Sequence, residues 1–525
     1  MKTRKSYRKN KKSDSCCVAE RRIIEIFSLV ALISVSMILV VLLYSGPFVF
    51  FDDTVYITYA HQMLTGTFNP LLGTPFSIKF IMISFWALST ALFGYSALAI
   101  ELPSLISLVA MIVLTYMVGK EIKGYALGFV SALFVALAPI SVSYATRALP
   151  DLTTGMFASL IIYLVLRAKR SPHSNMISAT VGALAALMIV IRMESLIFVI
   201  LLIFSLIIYT FHEARSRNKR HGINLKFVIA GFVVVFSLIL SYFYAYSGKI
   251  LYWLFAYSKA RIGMAPSTLS QNINFLAIAL NPYTFIGGIK GIALGQFFYP
   301  MGLLLDFALI GGIIFIACRK WEMMTISIIT LGVILYLFFG TQTLSKLEFM
   351  TPQDRFLMIV LPFIAVISGY LIIMVYDAIR RYSKPLASFT AITIIIYILV
   401  SNIPVYFVNY RYNLTSAFTL HAYNGIISYI HGFRNANVYC VGANPGLSCM
   451  YLQFLSAYRS GINFATPSTY SQTHPVVFVV YTDFNGAHNN ATTWIGSDYS
   501  IDKVLNYSET NSQIYVNLYQ VSANK

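Results

Sequence analysis

Eleven apolar runs, near 23–45, 97–119, 125–143, 152–168, 177–191, 195–211, 227–246, 297–318, 323–340, 356–376 and 387–404, punctuate the chain. A helix needs about 20 such residues to cross a hydrocarbon layer roughly 30 Å thick, so these runs predict about eleven spans. Of 525 residues, 58% are apolar and only 11% charged, far from the globular norms of about 45–50% and about 25%. Most of the chain is therefore expected to form one polytopic α-helical bundle in a membrane, which excludes a string of soluble domains.

The net charge of +19 would point to nucleic acid in a soluble protein, but here its distribution decides the meaning. With the N-terminus in the cytoplasm, the segments GKEIKG, RAKRSPH, FHEARSRNKRHGINLK, CRKWE and DAIRRYSK all fall on that side. Roughly 24 of the 38 Lys and Arg then lie inside, as the positive-inside rule demands. The apolar stretch SIKFIMISFWALSTALFG at 77–94 carries Lys79 and reads as a juxtamembrane helix in the interface. Counting it as a span would invert every later loop and destroy the charge bias.

The predicted organisation is a basic cytoplasmic tail over 1–22, a transmembrane domain over 23–404 with its first outer loop at 46–96, and an extracytoplasmic α/β domain over 405–525. The first apolar run is too long for a signal-peptide core and lacks a small-residue cleavage site, so it is expected to stay as an uncleaved span. In the last segment, AFTLHAYNGIISYIHGF reads as a helix, NVYCVGA and HPVVFVVYTDF as strands, and KVLNYSETNSQIYVNLYQV as a closing hairpin. Three Asn-x-Ser/Thr sequons at Asn413, Asn490 and Asn506 cluster there, in agreement with an outward tail. Cys440 and Cys449 share this segment; a bridge and two separate buried thiols are both open. No Cys or His cluster has zinc spacing, so no metal or other cofactor is indicated, although a divalent ion is not excluded.

Ionisable residues at the ends of spans cost free energy unless they pair or function. Asp52, Asp53, Lys79, Arg147, Asp151, Arg192, Glu194 and Arg355 all fall at the outer ends of the predicted spans, where anions and cations converge. Paired carboxylates among cations suit one reaction class. A base removes a proton from an acceptor hydroxyl, while cations hold a leaving phosphate whose charge grows in the transition state. A neighbouring carboxylate and partial burial are expected to raise the pKa of one of the two aspartates, making it the better base near neutral pH. A pair merely solvated at the interface has the same spacing.

The stretch FDDTVYITYAHQMLTGTFNP, residues 51 to 70, carries Asp52, Asp53, Tyr56, Ala60, Met63, Leu64 and Gly66 in order. It resembles the first outer-loop motif of the GT-C membrane glycosyltransferases, in the branch of protein O-mannosyltransferases and lipid A aminoarabinose transferases. Residues 101–168 resemble the family's second to fourth spans, with Arg147 and Asp151 in the sequence RALPD, and DRFLMIVLPFIAVISGY resembles a late span opened by Arg355. The resemblance implies transfer of a sugar, with inversion, from a polyprenyl-phosphate donor to a protein, glycan or lipid acceptor outside the cytoplasm. By matched position Asp52 would be the base, Asp53, Arg147 and Asp151 would shape the site, and Arg355 would hold the lipid phosphate.

Two departures concern the substrates. Where the branch carries a Lys-Pro-Pro-like stretch, this chain has Thr74, Pro75 and Phe76, and Lys79 about one helical turn on is the expected substitute for the phosphate-binding lysine. Glu101-Leu-Pro-Ser replaces the branch's Arg-Leu-Pro-Ser. Arg192 and Glu194 share a tight turn, where a local pair and a substrate contact are both open. The expected catalytic residues are thus Asp52 and Asp53, and the expected substrate-binding residues Tyr56, Lys79, Arg147, Asp151, Arg192, Glu194 and Arg355. Two alternatives stand beside this reading. Metal-dependent oligosaccharide transfer would be accompanied by a Trp-Trp-Asp motif, which the Trp positions 86, 253, 321 and 494 cannot form. A transporter would place its charges near the bilayer midplane on repeated halves.

Overall fold

The computed structural model describes residues 2–43, 52–71, 74–215, 222–262, 267–280, 301, 303–318, 320–341, 349–350, 353–433, 436–442, 449–450, 452–453, 456, 462–465, 477–483, 499–509 and 514–523. Seventeen α-helices are labelled here in chain order: α1 (Lys2–Leu42), α2 (Asp52–Leu64), α3 (Phe80–Phe93), α4 (Ala97–Lys123), α5 (Tyr125–Ala136), α6 (Pro139–Tyr144), α7 (Asp151–Ala168), α8 (Ser174–Ile191), α9 (Ser195–Arg215), α10 (Leu225–Ser247), α11 (Tyr252–Ile262), α12 (Leu269–Leu280), α13 (Leu303–Ala317), α14 (Trp321–Phe339), α15 (Leu361–Arg380), α16 (Lys384–Ser401) and α17 (Ile403–Ile430). A 3-10 helix, Asp354–Ile359, leads into α15.

Among the described residues, eight helices are long and apolar enough to cross a membrane. They are the Arg22–Leu42 part of α1 and α4, α7, α8, α10, α14, α15 and α16. The remaining three predicted spans fall on the shorter apolar helices α5, α9 and α13. The run at 125–143 is broken because Pro139 cannot continue a helix and instead opens α6. The juxtamembrane stretch forms α3, whose 14 residues extend only about 21 Å at 1.5 Å per residue, too short to cross. One residue, Gly124, reverses the chain between α4 and α5, and its φ of +86° is one that a side chain would resist.

Charge separates the two ends of the bundle. At one end, Lys120 pairs with Glu25, Lys123 with Asp377, Lys169 with Glu322, and both Arg167 and Arg170 with Glu121. The opposite end holds α2, the α6–α7 turn, the α8–α9 turn and the 3-10 helix. Gly155, one turn into α7, brings two of these together. A Cβ there would stand 2.6 Å from the Met358 carbonyl oxygen, so only glycine lets the 3-10 helix lie this close.

The C-terminal part is a five-stranded mixed sheet in the order β2-β1-β3-β5-β4, with β1 Ala436–Gly442, β2 Ile462–Ala465, β3 Val477–Asp483, β4 Tyr499–Glu509 and β5 Ile514–Ala523. The strands β1, β2 and β3 are parallel, and β5 runs antiparallel to both β3 and β4. Ala422, Tyr423, Ile426, Ile427 and Ile430 form one face of α17 at helical spacing. They pack on Val438, Cys440, Phe478, Val480, Val516 and Leu518, which alternate along their strands. The expected helix, two strands and hairpin are all present, and β2 is a strand the sequence reading did not anticipate. Cys440 and Cys449 are joined by a disulfide. Asn413 lies in α17 and Asn506 in β4, while Asn490 lies outside the described residues.

Candidate active site

The two carboxylates open α2, where the positive end of the helix dipole favours anions. Successive residues of a helix point about 100° apart, so Asp52 and Asp53 meet different partners. The Asp53 side chain is fully enclosed, with 0% exposure. It accepts the Ala148 backbone N–H at 2.6 Å and Arg147 Nη2 at 3.1 Å. The turn that supplies both donors is itself fixed, because Ser104 Oγ of α4 donates to the Arg147 carbonyl at 2.5 Å. The Asp52 side chain keeps 29% exposure, and Arg355 Nη1 donates to it at 2.8 Å. Gln353 orients that guanidinium by accepting its Nε–H at 2.7 Å.

Electrostatics separate the pair further. Burial pushes the Asp52 carboxyl up, but the Arg355 guanidinium and its hydrogen bond, with Lys79 and Arg147 behind them, outweigh it and hold the group below its ordinary 3.8. For Asp53, burial wins over Arg147 and Ala148, and the negative Asp52 adds to it, so this carboxyl sits above the ordinary value. The sequence reading expected one raised carboxyl, serving as the better base. The raised one is the enclosed Asp53, because complete desolvation acts on it, while the reachable Asp52 has a cation at hydrogen-bond distance.

Tyr56, one turn after Asp52, stacks on Trp86 with ring centres 5.0 Å apart. Its hydroxyl accepts from Lys79 Nζ at 2.6 Å. Burial lowers the Lys79 amine to about 7 even though Glu194 and Asp52 oppose the shift. Beside Lys79 lies an apolar cleft lined by Ile189, Val190, Met193, Phe243 and Trp253, with Tyr257 on its wall. A third group completes this end of the bundle. Arg192 pairs with Asp151 and, through Nε at 3.4 Å, with Glu194, whose Oε1 accepts from Tyr257 at 2.8 Å. Burial lowers the Arg192 pKa, with Glu194 opposing.

All nine residues singled out in the sequence therefore lie at one end of the bundle, in three linked groups. Asp52 is the more open of the two carboxylates, while Asp151, Arg192 and Glu194 are buried against one another. Gln353, Phe356, Tyr257 and Ser104 escaped the sequence reading. Gln353 had a signal in its position two residues before Arg355, whereas Tyr257 lies in no motif. His61, near the end of α2, meets the Tyr95 hydroxyl through Nδ1 at 2.5 Å. Among the described residues, no three His, Cys, Asp or Glu side chains gather as metal ligands.

Residues 80–264 match the family model described as dolichyl-phosphate-mannose-protein mannosyltransferase. That stretch includes Arg147, Asp151, Arg192 and Glu194 and leaves Asp52 and Arg355 outside it. No curated protein sequence matches significantly. Among solved structures, ArnT from Cupriavidus metallidurans bound to undecaprenyl phosphate superposes with a TM-score of 0.57 at 12% identity, over 93% of this chain and 97% of that one. The Archaeoglobus fulgidus oligosaccharyltransferase, tethered to an acceptor peptide containing an NVT sequon, superposes with a TM-score of 0.52 at 13% identity. It is aligned over 84% of this chain, which spans 63% of that one. The chain has the polytopic fold of the GT-C membrane glycosyltransferases.

Proposed function

We propose that the chain is an integral-membrane glycosyltransferase that moves a sugar from a polyprenyl-phosphate carrier to an acceptor outside the cytoplasm, with inversion and with Asp52 as general base. The observation that carries this reading is the division of labour in the carboxylate pair. Asp53 is enclosed and satisfied by Arg147 and Ala148, while Asp52 keeps 29% exposure and faces Arg355 at 2.8 Å. A half-buried carboxylate that solvent still reaches, beside a cation, can serve an acceptor and a phosphate at once.

In the reaction, Asp52 takes the proton of the acceptor hydroxyl as its oxygen attacks the anomeric carbon opposite the phosphate. The bond from that carbon to the phosphate oxygen breaks, and its electron pair stays on the polyprenyl phosphate. Charge grows on this leaving group, where Arg355 and Lys79 stabilise it. Before donor binds, Arg355 depresses the basicity of Asp52. A phosphate that draws on the same guanidinium weakens that pairing and returns basicity to Asp52 when the substrate is in place. The similar ArnT structure was solved with undecaprenyl phosphate, a donor carrier of the class proposed here. The reaction so described uses no metal. The lysine and arginine pairs of the opposite end of the bundle face the cytoplasm under the positive-inside bias.

The test uses membranes containing the full chain, supplied with polyprenyl-phosphate sugars bearing a radiolabelled sugar. The reading predicts acceptor-dependent label transfer and release of polyprenyl phosphate. Consumption of nucleotide sugars with no use of lipid-linked donors would contradict it.

A further inference from the structure

We propose that Arg192 is a positioning residue for this reaction, clamped between Asp151 and Glu194 and bearing on Phe356, and that it thereby sets where Arg355 meets the donor phosphate. The proposal rests on the reading of Arg355 as the phosphate-holding group.

Arg192 ends α8 in an extended backbone conformation, φ −155° and ψ 119°, which turns its side chain away from the helix it closes. Only 4% of the residue is exposed. Its two carboxylates come from different elements, Asp151 from the start of α7 and Glu194 from the α8–α9 turn, and Tyr257 of α11 fixes Glu194 in turn. A guanidinium held from two sides has little freedom left, and its flat face is available for stacking. The Arg192 Cζ stands 4.5 Å from the centre of the Phe356 ring, well inside cation–π range. Phe356 is 1% exposed and follows Arg355 directly in the 3-10 helix. The Arg355 Cζ lies 5.8 Å from the same ring, and Gln353 holds the Arg355 Nε. A path of packed groups thus runs from the buried clamp to the half-buried Arg355–Asp52 pair. If Arg192 merely tied α7 to α8, its salt bridges alone would serve, and Phe356 would be interchangeable with any apolar residue of its size.

The test compares Arg192→Lys, Phe356→Leu and the double variant in the full-length protein in membranes. Lysine keeps the charge between the two carboxylates but loses the planar stack, and leucine keeps an apolar side chain without the ring. Two readouts are taken: donor KM against kcat, and labelling of Asp52 by an apolar carbodiimide near pH 6, located by mass spectrometry. Each single variant is expected to raise donor KM about 3- to 10-fold with a smaller effect on kcat. Each should also raise Asp52 labelling, because a misdirected Arg355 holds down the pKa of that carboxyl less strongly and its protonated fraction grows. The double variant is expected to be no worse than the stronger single one. Effects that multiply in the double variant would overturn the proposal, as would lower thermal stability with KM and labelling unchanged. If labelling responds as expected but the wild type uses no polyprenyl-phosphate sugar, the proposed function fails while the positioning of Arg355 stands. If transfer is present and labelling stays flat, the positioning role fails and the function stands.

Discussion

Arg355 and Asp52 are 303 positions apart in the chain, yet Arg355 Nη1 donates to the Asp52 carboxylate at 2.8 Å. The pair joins the N-terminal helix of the site to the 3-10 helix that opens α15. Replacing Arg355 with Gln removes the cation from both Asp52 and the donor phosphate. A hydrogen bond to a charged group contributes about 1.5–3 kcal/mol, so kcat/KM is expected to fall about 10- to 100-fold, mostly through donor KM. Arg355→Lys should recover part of the loss. An unchanged donor KM in steady-state kinetics would remove Arg355 from phosphate binding.

Asp53 carries a different burden. Replacing it with Ala leaves Arg147 and the Ala148 N–H without their carboxylate partner in a closed environment. Breaking a buried pair on one side costs about 3–5 kcal/mol. Thermal unfolding in detergent should show a clear loss for Asp53→Ala and little change for Asp52→Asn. Equal stability for the two variants would contradict the assignment of Asp53 to the framework.

The Lys79 amine is held near 7 by burial, against an ordinary 10.5. Its folded pKa is lowered, so between about pH 7 and 10.5 the folded chain has released a proton that the unfolded chain retains. Its contribution to stability therefore rises with pH across that window. Donor binding runs the other way, because only the charged amine attracts phosphate. Donor KM is expected to climb above about pH 7 in the wild type and to flatten in Lys79→Arg, whose guanidinium stays charged. A KM profile that is the same in both proteins would exclude Lys79 from donor recognition.

Gly155 and Met358 fix the distance between α7 and the 3-10 helix. A Cβ on Gly155 would stand 2.6 Å from the Met358 carbonyl oxygen, so a side chain must displace the segment that carries Arg355. Gly155→Val is expected to reduce transfer by about tenfold or more, in keeping with the sensitivity of oriented sites to shifts on the order of 1 Å. Activity assays on protein matched for folded amount would check this, and wild-type rates would show that the 3-10 helix tolerates the shift.

Much of the architecture was legible because membrane spans and charge bias are local signals. Apolar runs placed the helices, and the cations around Lys120, Lys169 and Arg170 marked one end of the bundle. Alternation and turn residues announced the β4–β5 hairpin, but the four residues of β2 are too few to show a period. The adjacency of Asp52 and Asp53 was visible at once. Which of them is enclosed was not, since Ala148 and Arg147 reach Asp53 only after the chain has folded over almost a hundred residues. The raised pKa accordingly fell on the carboxyl opposite to the one that catalysis was expected to favour. Arg192 and Glu194 were legible as neighbours, while the link to Asp151 and the stacking on Phe356 are long-range. The Cys440–Cys449 pairing, left open by spacing alone, is settled by the disulfide that joins the two.

The central claim is that Asp52 takes the acceptor proton. Asp52→Asn keeps the shape of the side chain and removes the base, and a general base contributes about 100- to 10,000-fold. The decisive measurement is single-turnover sugar transfer from a polyprenyl-phosphate donor, with donor binding measured in parallel. The account predicts a loss of that size in the rate of transfer with donor still bound. A rate within a few-fold of the wild type would contradict it.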